Sequence, residues 1–274
     1  MTGESTAIET ILRRERLVVV GGLLLITALA WGWVLIGSGT GMSAISMTTW
    51  RFPAPIHVAM LENWTIGYAL VMFFMWWIMM IAMMTPSAAP MILLYGRAYR
   101  HEQRQEKLRA GVVPTFVFAL GYLMSWAAFS LIATGLQWSF ERAGLVHQMM
   151  MWSISPFFTA ALLIAAGLYQ ITPLKSVCLE HCRSPAQYLA QHFKPGTPGA
   201  LRLGWKHGLY CLGCCWFLMA LLFAGGIMNL LWIAGLAIYV LIEKVAPKGQ
   251  LIARIAGVAL VLVGLWVAAW NFVA

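Results

Sequence analysis

The chain has 274 residues, 61% of them hydrophobic and only 10% charged, with a net charge of +9 and a mean hydropathy of +0.79. Soluble domains carry about a quarter charged residues, so this composition excludes an ordinary soluble enzyme, and the basic residues flank long apolar segments instead of forming a nucleic-acid surface. The expectation is an all-α, polytopic helical membrane protein, a single membrane domain over residues 1–274 with the lipid bilayer as its first partner and no nucleic acid.

Residues 2–16 are polar and end in Arg13, Arg14, Glu15 and Arg16. The apolar run behind them is long enough to span and has no obvious cleavage site, so it reads as a retained anchor, not a signal peptide. Seven spans are predicted, at 17–36, 64–84, 112–136, 151–171, 207–224, 227–242 and 253–273. The fifth and sixth are short and parted only by Gly225-Gly226, which leaves one re-entrant hairpin as the alternative. With the N-terminus inside, the cytoplasmic segments collect sixteen of the 18 basic residues and leave Arg51 and Arg142 outside. By the positive-inside rule this orients the chain in a bacterial inner membrane, N-terminus cytoplasmic and C-terminus periplasmic.

The outer segment 37–63 carries Met42, Met47, His57, Met60 and Glu62. His57 with Met60 offers a landing point for a periplasmic metal, though a lone loop histidine is usually structural. In the second span, Met72, Met75, Met79 and Met83 form one helical stripe, widened by Met80 and Met84. Thioether is a Cu(I) ligand that zinc does not favour, and it is also a good filler of irregular helix interfaces. Pro86 and Pro90 are expected to end or kink this helix and to free carbonyl groups. Arg97 to Arg109 reads as a solvated helix in which Glu102 and Glu106 have basic neighbours, with His101 a surface residue. Further soft donors follow at His147 and Met149 to Met151.

All five cysteines lie between Cys178 and Cys215, each group with a histidine: Cys178-Leu-Glu-His181-Cys182, then His207-Gly-Leu-Tyr-Cys211-Leu-Gly-Cys214-Cys215. Residues three and four apart share a helix face, so each group can aim soft donors at one point. Thiolate and imidazole suit zinc, and thiolate suits Cu(I); the plain alternative is cysteine as a small buried hydrophobe. The segment 172–206 is predicted cytoplasmic, hence reducing, so thiols are expected there. Lys175, Arg183 and Lys206 lie close enough to favour thiolate by charge, or to anchor the segment to anionic lipid. The loop 183–206, with Pro185, Pro195 and Pro198, is expected to fold back and bring the two cysteine groups together. Asn229 is expected to tie helices together, and His192 has no assigned role. No phosphate-binding glycine loop, serine nucleophile motif or hydrolytic acidic cluster is present, and the spans hold no histidine pair deep enough for a haem held by two imidazoles.

Four stretches resemble a bacterial family of predicted metal-binding integral membrane proteins, some members of which are described as copper chaperones. They are Met75 to Met91; Thr172 to Pro185, with Cys178, His181 and Cys182; Gly204 to Trp216, with His207, Cys211, Cys214 and Cys215; and Met219 to Lys244. The resemblance implies metal binding and favours copper, without a mechanism. Three readings follow. In the first, a non-enzymatic copper-handling protein, Cys178, Cys182, Cys211 and Cys215 hold Cu(I). His181, His207 and Cys214 then serve as further or exchange ligands, and Met75, Met79 and Met83 as weaker steps across the bilayer. Its job would be delivery to a membrane metalloenzyme or transfer of copper across the bilayer, with a copper-dependent membrane enzyme or a soluble copper carrier as partner. The second is a zinc- or thiol-based structural or regulatory membrane protein. The third is a membrane thiol redox enzyme using Cys214-Cys215.

Overall fold

The computed structural model describes residues 2–49, 52, 63–104, 113–193 and 196–273. Among them the chain is all-helical, with no strand and one isolated antiparallel bridge between Val146 and Ser153. The helices are α1 (Thr2–Leu35), α2 (Ile66–Arg104), α3 (Val113–Arg142), α4 (Pro156–Ile171), α5 (Pro173–Arg183), α6 (Pro185–His192), α7 (Thr197–Ala220), α8 (Leu222–Gly225), α9 (Leu230–Val245) and α10 (Gly249–Val273).

Five segments are long and apolar enough to cross a membrane: Arg16–Leu35, Ile66–Glu102, Pro114–Arg142, Thr197–Gly225 and Gly249–Trp270. A sixth is the pair α4 and α5, bent by 65° at Thr172. The bend follows from the sequence Thr172-Pro173. Proline biases the residue before it away from helical dihedrals, and Thr172 is extended, with ψ at 147°. Its side chain then caps the new helix by accepting from Lys175 N at 3.3 Å. The predicted sixth span corresponds to α9, which has only 16 residues. Five to six of the seven expected spans thus have membrane-crossing length and composition.

Two local expectations need correction. Pro86 and Pro90 do not end α2, which runs unbroken from Ile66 to Arg104. The carbonyls near the prolines find other donors: Trp31 Nε1 donates to Ala82 O at 3.1 Å, and Tyr122 OH to Met84 O at 3.2 Å. With those groups satisfied, the missing proline N–H no longer forces the helix to stop. The expected solvated helix from Arg97 is the continuation of α2 as far as Arg104; Glu106, Lys107 and Arg109 lie outside the described residues. Likewise the expected inner loop is mostly helical, as α5, α6 and the first turns of α7. Asn229 does tie segments together, donating to Thr49 O at 3.1 Å while capping α9 through Leu231 N at 3.0 Å.

Glycine permits the closest helix contacts, as expected where packing and not hydrophobic collapse holds spans together. A Cβ on Gly167 of α4 would lie 2.6 Å from Gly257 O of α10, and one on Gly204 of α7 would run into the Phe118 carbonyl of α3. α7 is therefore locked against α3 on one side and packs on α5 on another, at the centre of the bundle. Outward-facing Leu24, Leu29, Leu262 and Trp270 are exposed, as lipid-facing residues would be.

Gly204→Ala should destabilise the detergent-solubilised protein by about 1–3 kcal/mol through overpacking. Gly235→Ala, where nothing lies within 4 Å of the added methyl, should be neutral or stabilising. Thermal unfolding of the two variants checks the difference.

Candidate metal centre

Helical periodicity places His207, Cys211, Cys214, Cys215 and Leu218 on the enclosed side of α7, all buried. Opposite lies α5, whose Cys178 and Cys182 are partly buried. All five cysteines are free. Across the α5–α7 contact the Cys182 sulfur neighbours those of Cys211 and Cys214, and Cys211 neighbours Cys214 and Cys215 on its own helix. The two cysteine groups, parted in sequence by a turn and a short helix, do meet.

Cys178 does not join the same point: its sulfur lies against Gly213, 2.9 Å from where a Cβ would be. Cys178 and Cys182 share a face of α5 but stand about 6 Å apart along its axis, so they reach α7 at different levels. Cys214 and Cys215 each turn their thiol back to Cys211 O at 3.0 Å. This back-bonding to their own helix keeps the sulfurs from converging fully. Among the described residues no three His, Cys, Asp or Glu side chains surround one point in metal-holding geometry.

The charge beside these sulfurs comes from one of the basic residues counted among the cytoplasmic segments. Lys244, at the end of α9, is buried and sets Nζ 2.9 Å from Cys211 Sγ and 3.0 Å from Ser87 Oγ. Tyr122 OH stands 3.1 Å from the same sulfur. Lys175, expected to lie near the cysteines or to anchor the segment to lipid, is only 1% exposed. Its Nζ lies 2.6 Å from Glu243 Oε1 and also donates to Gln170 Oε1. The two Glu243 oxygens are fully buried, and neither accepts a well-aligned hydrogen bond among the described residues; the pair is held by charge and proximity. Arg183 donates to Ala246 O at 2.6 Å and Pro247 O at 2.8 Å. Together these contacts fasten α5, which carries Cys182, to α9, which carries Lys244.

His181 stacks on Tyr210 with centroids 4.3 Å apart and rings 4° from parallel, its Nδ1 at 2.8 Å from Val177 O. His207 is buried among the rings of Phe118, Tyr122 and Tyr188. Burial pushes the Tyr188 phenol up to about 12, so it remains a protonated group beside both histidines. The two imidazoles flank the sulfurs without pointing to a shared centre.

The methionine stripe of α2 is wholly internal. Met72, Met75, Met79, Met80, Met83 and Met84 are all buried, while Phe74 faces outward. At the Met72 end, far along α2 from Ser87, lies a polar network absent from the sequence reading. Gln137 Nε2 donates to Met72 Sδ at 3.4 Å and to Glu141 Oε1 at 2.8 Å, and Glu141 Oε2 accepts from Trp64 Nε1 at 2.7 Å. Trp76 Nε1 donates to Gln137 Oε1 at 2.8 Å. Glu141 lies five residues past the predicted third span, so no intramembrane carboxylate signalled this network in advance; α3 carries the helix on to Arg142. Met149 is exposed, Met151 is buried with φ at 55°, and His147 Nδ1 accepts from Met149 N and Met150 N. His57, Met60 and Glu62 lie outside the described residues.

A family model described as PpoB2, copper chaperone, matches residues 73–267. That stretch contains every cysteine, Lys244, Tyr122 and the methionines from Met75 onward. No curated protein and no solved structure matches the chain.

Breaking one side of the buried pair should show how firmly α5 is held. Lys175→Met removes the ion-pair partner of Glu243 and should cost about 3–5 kcal/mol, whereas the double change Lys175→Met, Glu243→Met should recover most of it. A double-mutant cycle of unfolding in detergent measures this.

Proposed function

The chain belongs to the PpoB2 copper chaperone family, and from that premise we propose that it takes up Cu(I) on the cysteines of α5 and α7 and hands it to a client protein. The observation that carries this reading is the meeting of Cys182 of α5 with the buried Cys211 and Cys214 of α7. Soft thiolates select Cu(I), and Cu(I) accepts two or three sulfurs where zinc calls for a closed set of four. Cys182 and Cys211 are the primary pair in this scheme. Cys214 and Cys215 complete the shell once their thiols leave the Cys211 carbonyl, and Cys178, His181 and His207 act as exchange donors on the way in or out.

The remaining parts of the proposal concern the route. Met83, Met79 and Met75 are weaker thioether steps leading from the cysteine end of α2 toward Met72, Gln137 and Glu141. In the inner membrane, with α9 as a short seventh crossing, the N-terminus is cytoplasmic, the C-terminus periplasmic and the cysteines sit near the cytoplasmic face. The client is a copper-dependent membrane enzyme or a soluble copper carrier. The role is binding and transfer, with no substrate converted. A zinc or structural reading uses the same cysteines but gives the methionines no chemistry. A redox reading must join Cys214 to Cys215, whose side chains diverge by about 100° on a helix.

Cys182→Ser and Cys211→Ser should each reduce the Cu(I) stoichiometry of purified protein toward zero, because each removes half of the primary pair. Unchanged copper content in both variants would leave the cysteines as packing. For the route, the triple change of Met75, Met79 and Met83 to Leu preserves volume and should cost less than about 1.5 kcal/mol per site. It should keep copper on the cysteines yet lower the activity of a copper-dependent membrane enzyme in cells. Wild-type behaviour of the triple variant would mean that the stripe only packs.

A further inference from the structure

Resting on the copper reading above, we propose that the pocket between α5 and α6 is the port through which the cargo ion reaches Cys182 from the aqueous side, and that the Tyr188 ring is its gate. The approaches to the sulfurs are few. Cys211, Cys214 and Cys215 are wholly buried. Gly204 and Gly208 press α7 onto α3, and Tyr122 and Lys244 close in on the Cys211 sulfur. Cys182 is the one residue of the meeting that keeps some exposed surface. Two pockets of about 220 Å³ each flank α6. One is lined by His192, Arg202 and Lys206, a basic wall that disfavours an arriving cation. The other is lined by Glu180, His181, Ser184, Gln187, Tyr188 and Gln191, with one carboxylate and, among the described residues, no lysine or arginine. A cation arriving at this face is drawn to the second.

Tyr188 stands between that pocket and the cysteines. It lines the pocket, neighbours Cys182 and is only 4% exposed. His192 stacks on its ring with centroids 4.8 Å apart, Tyr210 meets it edge-on at 5.7 Å, and the His207 ring of α7 is 6.2 Å away. These ring contacts hold the side chain in place, yet its hydroxyl has no hydrogen-bond partner among the described residues. A buried hydroxyl left unpaired is costly. Turning the ring outward lets water satisfy it, so closure is held by a narrow margin and opening is a local event. The helix that carries Tyr188 suits such movement: α6 has 8 residues and begins at Ser184 without a side-chain cap. Tyr188 is a positioning residue in this scheme; it opens the path and holds no metal.

The test reads how fast each cysteine of the full-length, detergent-purified protein is modified by two small methanethiosulfonates, one cationic and one anionic, with the modified peptides identified by mass spectrometry. Cys182 should react before Cys211, Cys214 and Cys215. The cationic reagent should be the faster, and Glu180→Gln should cut the ratio of the two rates by about threefold. Tyr188→Ala should speed the reaction at Cys182 by about tenfold, whereas Tyr188→Phe, which keeps the ring and has no hydroxyl to satisfy, should slow it by about fivefold. A change that merely loosened the fold would not slow the reaction, so the Phe variant carries the test if Tyr188→Ala does not fold. Modification of Cys211 ahead of Cys182, or an unchanged ratio in Glu180→Gln, overturns the port; a wild-type rate in Tyr188→Phe overturns the gate. These rates need no metal and so stand apart from the copper reading. A wild-type protein with the expected thiol rates that binds no Cu(I) overturns that reading, and with it the cargo assigned to the port.

Discussion

Lys244 holds an ammonium 2.9 Å from the Cys211 sulfur in a bundle with few other charges. Where water is scarce, a charge must be matched by its neighbours, and the geometry around it has to be held in place to do so. Much of the cysteine end serves that need. Lys175 and Glu243 fasten α5 to α9, Arg183 grips the carbonyls beyond α9, and Tyr122 and Ser87 complete the surroundings of the sulfur and the ammonium. α7 can bring Cys211 into this position because Gly204 lets it press against α3.

The meeting of the two cysteine groups was legible in the sequence because spacing on a helix is a local property. Cys178 and Cys182, like Cys211 and Cys215, had to share faces, and prolines in the intervening segment had to turn the chain. The level at which each sulfur meets its partner was not legible. Cys178 ends beside Gly213 while Cys182 reaches Cys211, and that depends on the 65° bend at Thr172 and the glycine contacts of α7. The burial of Lys244 was not legible for a similar reason. A lysine at the end of an apolar segment normally counts as a positive-inside anchor, and only tertiary packing shows that it points into the protein. Glu243 and Glu141 fall just past the predicted sixth and third spans, and only the longer helices α9 and α3 draw these carboxylates into the protein, where they need partners.

Pro86 and Pro90 teach a related lesson. Proline in a helix predicts a break when its neighbours are unknown, yet here α1 and α3 provide the donors that the helix lacks. The same region gives α2 two functions that the sequence suggested only in part. Its methionines form a continuous internal face, and its Ser87 contributes to the cysteine site. The methionine thioethers and, beyond Ser87 and Lys244, the Cys211 sulfur therefore lie along one helix interface.

The central claim is that sulfurs from α5 and α7 hold the copper together. X-ray absorption at the copper edge, on Cu(I)-loaded protein in detergent, tests it most directly when wild type is compared with Cys182→Ser. A wild-type shell of two or three sulfurs, with one sulfur missing or the metal lost in the variant, is the expected result. A shell dominated by nitrogen or oxygen, or a sulfur shell that is identical in the variant, would contradict it.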